Sequence, residues 1–281
     1  MRVEEILKKG TAALKTAGIS SPRVDAEVLL GFVLGCDRLA LYREPRREVA
    51  AGEAARFEEL VARRAAGEPV AYLTGEKEFM GLGFAVTPAV LIPRPETELL
   101  VETAVTLLRG AAAPVVADVG TGSGAVAVSL AVLLPAARVF AVDISTAALT
   151  VARENACRHR VADRVVFCAG DLLEPFAGNK SFFDLIVANL PYVPSGEVAK
   201  LPRPVRREPV LALDGGADGL VLYRRLVSQA RPLLKPGGHL LFEIGSGQGA
   251  AALGLLPPAW EANVVQDLAE RDRLVVARYR G

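Results

Sequence analysis

Hydrophobic positions change rhythm along this chain. Over the first 75 residues they recur at helical spacing. Ile6, Leu14 and Ala17 fall on one face of a first helix. Ser20-Ser21-Pro22 marks the start of a second, with a capping hydroxyl ahead of a proline in the first turn. Ala26, Leu29, Leu30, Val33 and Leu34 form its inward face. A third helix is predicted over 49–66, with Phe57, Leu60 and Val61 inside, charges outside, and Gly67-Glu68-Pro69 as its stop.

From position 115 the apolar residues gather instead into short unbroken runs. Strands are predicted near 115–119, 138–142, 164–168, 183–188 and 238–244, and helices near 124–134, 146–157 and 218–232. Runs such as Leu185-Ile186-Val187-Ala188 lack polar alternation, as parallel strands buried on both faces do. Strand alternating with helix gives an α/β, doubly wound sheet of the Rossmann kind. Ala262–Asp267 and Leu274–Tyr279 are expected as an antiparallel pair finishing it. Between the two rhythms, Phe79, Leu82, Phe84, Val86, Val90 and Ile92 suggest two short strands around a turn, and Pro93-Arg94-Pro95 leads into a helix near Glu96. The predicted organisation is a helical domain at 1–75, a β-hairpin join at 76–95 and a sheet domain at 96–281.

Composition narrows the function classes. Hydrophobic residues make up 51% and charged residues 23%, a globular balance, and Lys plus Arg (33) nearly equals Asp plus Glu (32). Residues 1–80 hold 13 basic and 13 acidic side chains, so the front of the chain lacks the basic surplus of a nucleic-acid binder. No direct nucleic-acid partner is expected. Cys36, Cys157 and Cys168 fit no zinc spacing and read as buried free thiols, while His159 and His239 read as surface or packing residues; no metal is expected. Glu4 and Glu5 stand where a signal peptide would be apolar, and the apolar stretch from Val28 to Cys36 is too short to span a bilayer, so a soluble cytoplasmic protein with no membrane partner is expected.

The chemistry gathers behind the predicted strands. Asp118-Val119-Gly120-Thr121-Gly122-Ser123-Gly124-Ala125 follows the first and opens a helix, and its glycines permit a tight turn with close approach to a ligand. Alone, the run fits both a dinucleotide and a methyl-donor fingerprint. Asp143, ending the second strand, can accept both ribose hydroxyls of either nucleoside. Asp171, ahead of Leu172 after the third strand, can accept from an adenine amino group or cap a turn. Asp118 would welcome a cationic amino-acid head but repel a pyrophosphate. The set favours S-adenosylmethionine over NAD.

Asn189-Leu190-Pro191-Tyr192 ends the fourth strand, where ligands sit in open sheets of this kind. An amide or aromatic amine nitrogen is a poor nucleophile, because its lone pair is delocalised. Two hydrogen-bond acceptors gripping its N–H groups would hold it in line with the donor's methyl carbon, and such positioning is worth on the order of 7 kcal/mol. The Asn189 side-chain oxygen and the carbonyl of Leu190 are the expected acceptors. Pro191 restricts residue 190, and Tyr192 offers a flat face for a planar group. No catalytic histidine is required, because the surplus proton can leave after transfer.

The chain resembles the HemK/PrmC family, the methyltransferases of class 1 peptide-chain release factors. The resemblance runs through Ser21–Glu27, Gly67–Gly75, Leu91–Glu98, Asp118–Ala125, Asn189–Tyr192, Glu208–Leu220, Glu243–Gly249 and Asp272-Arg273. It implies a Rossmann-like class I methyltransferase domain, its mostly parallel sheet ending in an antiparallel strand, preceded by a small helical bundle. It further implies methylation of the N5 nitrogen of the glutamine in a Gly-Gly-Gln motif. The S-adenosylmethionine site would then fall on Gly120, Thr121, Gly122, Ser123, Gly124, Asp143, Asp171, Leu172 and Asn189, and the glutamine site on Asn189 to Tyr192. The helical front domain would help grip the release factor. Arg94 to Glu98 would lie near the pocket mouth, with a capping salt bridge as the other reading of Arg94 and Glu96. Leu190 stands where the family usually has proline, Leu172 where an aromatic residue occurs, and Glu270 where glycine is expected. A glutamine methyltransferase of a ribosomal protein is the nearest alternative. An adenine-N6 nucleic-acid methyltransferase would want a basic front domain, an NAD-linked oxidoreductase leaves Asn189–Tyr192 unexplained, and the intact tetrapeptide argues against a non-catalytic cofactor-binding module.

Overall fold

The computed structural model describes residues 1–281 and divides them into two compact units, Met1–Glu76 with Pro202–Arg207, and Lys77–Leu201 with Glu208–Gly281. The first unit contains α1 (Val3–Thr16), α2 (Pro22–Leu34), α3 (Arg38–Arg43), α4 (Ala51–Ala65) and α5 (Val70–Thr74). Ile6, Leu14, Ala26, Leu29, Leu30, Phe57 and Leu60 form its core, while Val33 and Leu34 are only half-buried. Ala17 is the C-cap of α1, just past its last turn, and is exposed; Gly18 after it, with φ of 75°, turns the chain away. The Ser21 hydroxyl does not cap α2; it donates to Asp25 at 2.9 Å, and Asp25 in turn accepts from Arg64 at 2.7 Å. The short α3 and α5 had too few turns to show a period.

The second unit opens with a hairpin, β1 (Glu76–Phe79) and β2 (Leu82–Ala85), whose Phe79 and Phe84 are fully buried in the core shared with Leu100, Val101 and Val128. A 3-10 turn at Pro95–Thr97 leads into α6 (Glu98–Leu108). Strands and helices then alternate: β3 (Val115–Val119), α7 (Ala125–Leu133), β4 (Arg138–Asp143), α8 (Thr146–Arg158), β5 (Val165–Ala169), β6 (Phe183–Ala188), α9 (Ser195–Val198), α10 (Val221–Leu233), β7 (Leu234–Glu243), α11 (Gly249–Leu253), β8 (Trp260–Gln266) and β9 (Asp272–Tyr279). The sheet order is β5-β4-β3-β6-β7-β9-β8, with β3 to β7 mutually parallel and β9 antiparallel to both its neighbours. Strands β3 and β6 are buried almost throughout, as their apolar runs Val115-Val116-Ala117 and Leu185-Ile186-Val187-Ala188 require.

The order reverses between β3 and β6, the place where open α/β sheets hold ligands at their carboxyl ends. There Val119 pairs with Ala188, so Gly120 and Asn189 leave the sheet side by side. Glu270 adopts φ of 58° in the β8–β9 turn, the left-handed conformation for which glycine was expected; a non-glycine residue there costs about 1 kcal/mol. The cysteines are not the buried thiols expected: Cys157 is exposed, on the solvent side of α8, and Cys36 and Cys168 are half-buried. His159 packs its ring on Phe84 and bonds to the Gly83 carbonyl at 2.8 Å. No helix is long and apolar enough to cross a membrane.

Candidate active site

A cavity of about 280 Å³ opens at the carboxyl ends of β3, β4 and β6. One wall is the glycine loop with its two carboxylates. Gly120, Gly122 and Gly124 have φ of 75, 56 and 78°, so the turn is closed to residues that avoid the left-handed region. At Gly120 a Cβ would also stand 2.8 Å from the Leu190 side chain. The loop hangs from β4, because Gly120 and Thr121 both donate backbone N–H bonds to the Val142 carbonyl at 2.9 Å. Asp143 braces it from below, accepting from the Gly122 amide on one oxygen and from the Ser145 amide on the other, each at 2.8 Å. Burial raises the Asp143 carboxyl above its ordinary range against those two bonds.

Asp118 is buried beneath the loop and accepts from Thr121 Oγ1 at 2.6 Å and the Ala127 amide at 3.1 Å. Burial pushes its carboxyl up to about 7, the two hydrogen bonds oppose the rise, and the Asp143 charge adds to it. No cationic side chain pairs with it. A buried carboxyl of this kind at a cavity wall suits a ligand that brings its own positive charge. Asp171 also borders the cavity, bonded to Arg225 at 2.8 Å. The neighbouring Leu172 is buried and has φ of 52°.

The opposite wall is Asn189, Leu190 and Pro191, with Arg94 and Thr97 from the segment before α6. Asn189 Nδ2 donates to Thr97 Oγ1 at 3.0 Å, and Thr97 Oγ1 donates to Glu243 Oε2 at 2.7 Å. Tyr192 donates its hydroxyl to Glu243 Oε1 at 3.3 Å. Burial raises the Tyr192 phenol, and the Glu243 carboxylate beside it adds to the rise, so it stays a donor. The Leu190 peptide is held by Tyr223, whose buried hydroxyl accepts from the Leu190 amide at 3.2 Å and lies 2.9 Å from the Leu190 carbonyl and 2.6 Å from the Glu243 carbonyl. One hydroxyl proton cannot serve both carbonyls at once, and a carbonyl has two lone pairs, so the Leu190 oxygen keeps room for another donor. Proline at 190 would lack the N–H that Tyr223 accepts here.

The selective Glu208–Gly219 segment is packed directly behind this loop. Glu208 is buried, accepting from the Ile92 amide at 3.0 Å and pairing with Arg94. A Cβ at Gly215 would lie 2.6 Å from the Pro191 carbonyl oxygen, and one at Gly219 only 2.1 Å from that of Tyr192. Glycines stand there because two backbones meet.

Comparison with known proteins gives the same picture. Residues 5–75 match the PrmC N-terminal domain, and residues 112–269 match a methyltransferase domain. The release factor glutamine methyltransferase of Moorella thermoacetica is 48% identical over 100% of this chain and 99% of its own length. This chain belongs to the release factor glutamine methyltransferase family. The protein of the same description from Koribacter versatilis is 43% identical, with 99% of each chain covered. Among solved structures, the hMettl16 catalytic domain in complex with the MAT2A 3'UTR hairpin 6 superposes with a TM-score of 0.58 at 16% identity, covering 79% of this chain and 82% of that one, a likeness of fold.

Against this family frame, Asp118, Gly120, Thr121, Gly122, Ser123, Asp143, Asp171, Leu172, Asn189, Leu190, Pro191 and Arg94 all border the one cavity. Three expected residues stand off its wall. Gly124 instead lets α7 approach α8, where a Cβ would come within 3.0 Å of Ala152. Tyr192 does not line the cavity, and its hydroxyl donates to Glu243. Glu96 is exposed, and Arg94 is paired with Glu208, so the two do not form the capping bridge considered as their other reading. The Leu190 side chain is buried against Gly120, which leaves its backbone as the part able to meet a ligand. Sequence reasoning missed Tyr223 and Arg225 as site-builders; it placed Thr97 only within the Arg94–Glu98 run near the pocket mouth and Glu243 only within a segment of family resemblance, with no role for either. It also missed Asn155, a buried amide that ties Ala85 of β2 to the Ser123 carbonyl of the glycine loop. An acid ending an otherwise apolar strand, as Glu243 does, was the one available signal.

Proposed function

We propose that this chain transfers the methyl group of S-adenosylmethionine to the side-chain amide nitrogen of the glutamine in the Gly-Gly-Gln motif of a class 1 release factor. The observation that carries the reading is the facing of two walls across one cavity, a glycine loop over two carboxyls on one side and Asn189-Leu190-Pro191 on the other. When bound, S-adenosylmethionine supplies a methyl carbon whose bond to a sulfonium sulfur breaks with the electron pair returning to sulfur.

The residues present fit that group. Asp118, buried without a cation, would hold the amino-acid ammonium; Asp143 would accept from the ribose hydroxyls; the Asp171–Leu172 turn would meet the adenine. The Asn189 side-chain oxygen and the Leu190 carbonyl would each accept one N–H of the glutamine amide, fixing the nitrogen and favouring a localised lone pair. The new N–C bond forms there, and the nitrogen's surplus proton passes to solvent, so no side-chain base is needed. We assign the helical first unit to release-factor binding; the match of residues 5–75 to the PrmC N-terminal domain supports a release factor over a ribosomal protein as target. The chain would work in the cytoplasm, where release factors act.

The test is incubation with labelled S-adenosylmethionine and purified release factors, followed by mass spectrometry of the tryptic peptides. One methyl on the glutamine side chain is expected. Label on another residue, or none, would refute the reading.

A further inference from the structure

We propose that Thr97 and Glu243 are positioning residues that fix which end of the Asn189 amide faces the cavity. The inference rests on the reading of Asn189 as an acceptor for the glutamine amide.

A carboxamide has two ends of nearly equal size and opposite hydrogen-bonding sense. With oxygen toward the cavity, Asn189 accepts from the substrate's NH2. Rotated by half a turn, it sets NH2 against NH2, and the grip is lost. Bulk cannot make this choice, so a hydrogen-bond partner must. Thr97 is the partner, at 3.0 Å, but a free hydroxyl would not choose either, because it donates as readily as it accepts.

The choice comes from one step further back. The single Thr97 proton is committed to Glu243 at 2.7 Å. Its oxygen therefore shows Asn189 only lone pairs, and Asn189 must answer with its NH2. Both residues are buried, Thr97 at 4% and Glu243 at 2% exposure, so water does not offer a substitute. A rotated Asn189 would set oxygen against oxygen there, which carries the desolvation penalty of an unsatisfied buried group. Neither residue lies near Asn189 in sequence: the separations are 92 residues from Asn189 to Thr97 and 146 from Thr97 to Glu243.

The direction of the chain holds while Glu243 is ionised. Burial raises its carboxyl to about 7; Thr97, Arg273 and Tyr192 act to lower it, and Glu96 raises it further. Tyr223 approaches the Glu243 backbone carbonyl. A protonated Glu243 could donate to Thr97 instead, and the freed Thr97 hydroxyl could then donate to the Asn189 oxygen, turning the amide NH2 toward the cavity. With S-adenosylmethionine saturating, so that Asp118 protonation does not limit binding, kcat should therefore fall as pH drops through about 7, and this acid limb in kcat should belong to Glu243.

The experiment compares wild type, Thr97→Ser, Thr97→Val and Glu243→Gln with purified release factor and S-adenosylmethionine, alongside melting curves and calorimetry of cofactor binding. Thr97→Ser should keep turnover within about threefold of wild type, whereas Thr97→Val should lose at least about tenfold in kcat, with KM for the release factor and cofactor affinity changed by less than about threefold. Glu243→Gln keeps the volume and should lose kcat similarly, together with the acid limb. If Thr97→Val fails to fold, Glu243→Gln and its pH profile decide. Wild-type turnover in Thr97→Val or Glu243→Gln, or equal loss in folded Thr97→Ser and Thr97→Val, would overturn the positioning role while leaving the function intact. Wild type that puts no methyl on glutamine would sink the functional reading itself.

Discussion

Within the glycine loop itself, the side-chain hydrogen bonds that set geometry span at most 32 residues, the longest running from Asn155 to the Ser123 carbonyl. Thr121 reaches Asp118 over 3 residues, Ala127 reaches it over 9, and Gly122 reaches Asp143 over 21. On the wall across from it, Asn189 reaches Thr97 over 92, Thr97 reaches Glu243 over 146, and Ile92 reaches Glu208 over 116. The first wall is a strand–turn–helix unit that carries its own bracing. The second is assembled only when the sheet, α6 and the returning 208–219 segment have come together. A site for a constant small ligand can be built from a local unit. An acceptor grip demands orientation of single side-chain atoms, and here tertiary contacts supply it.

The contrast can be broken at either wall. The largest effect is expected from Asn189→Ala, which should lower methyl transfer by about 10²- to 10³-fold, the scale seen when one preorganised hydrogen-bonding group is removed. Cofactor affinity by calorimetry should change by only a few-fold, and equal losses in both would merge the two walls into one. Next comes Gly219→Ala. Its new Cβ would sit 2.1 Å from the Tyr192 carbonyl oxygen at φ of 76°. A loss of about 3 kcal/mol of stability is expected, read as a drop in melting temperature, and an unchanged melting curve would show that the loop is not clamped from behind.

Asp118→Asn tests the local wall alone. Cofactor affinity should fall by about 10- to 100-fold through loss of a charge-assisted contact, with the glutamine side untouched. The smallest effect concerns pH. The Asp118 carboxyl moves from its ordinary 3.8 up to about 7 in the folded chain. Between those values the folded chain holds a proton that the unfolded chain has released, so this group's contribution to cofactor-free stability declines as pH rises across the window. A bound cation favours the ionised form, so affinity should run the other way and rise about eightfold from about pH 6 to about pH 7.5 as the ionised fraction grows. Isothermal calorimetry at both values measures it, and Asp118→Asn should flatten the dependence.

The same contrast explains what could be read in the chain before folding. Mostly apolar runs at 115–119 and 183–188 placed the strands within a residue or two, and the Asp118–Ala125 turn was legible because its chemistry is contiguous. Asn189 was legible by position, at the end of a strand. The role of Thr97 within the Arg94–Glu98 run was not, since a threonine beside Pro95-Glu96 looks like any helix start, and only the fold turns it toward Asn189. Tyr192 carries a tie that the sequence does not show, its hydroxyl bonded to the buried Glu243 carboxylate 51 residues away. Helices α3, α5, α9 and α11 escaped because six residues or fewer show no period.

The central claim is tested most directly by a crystal of the protein with S-adenosylhomocysteine and a Gly-Gly-Gln peptide. The glutamine amide nitrogen should lie about 3 Å from both the Asn189 side-chain oxygen and the Leu190 carbonyl, on the side facing the sulfur. A glutamine bound elsewhere, or a 189–192 loop turned from the sulfur with no space for the side chain, would contradict it.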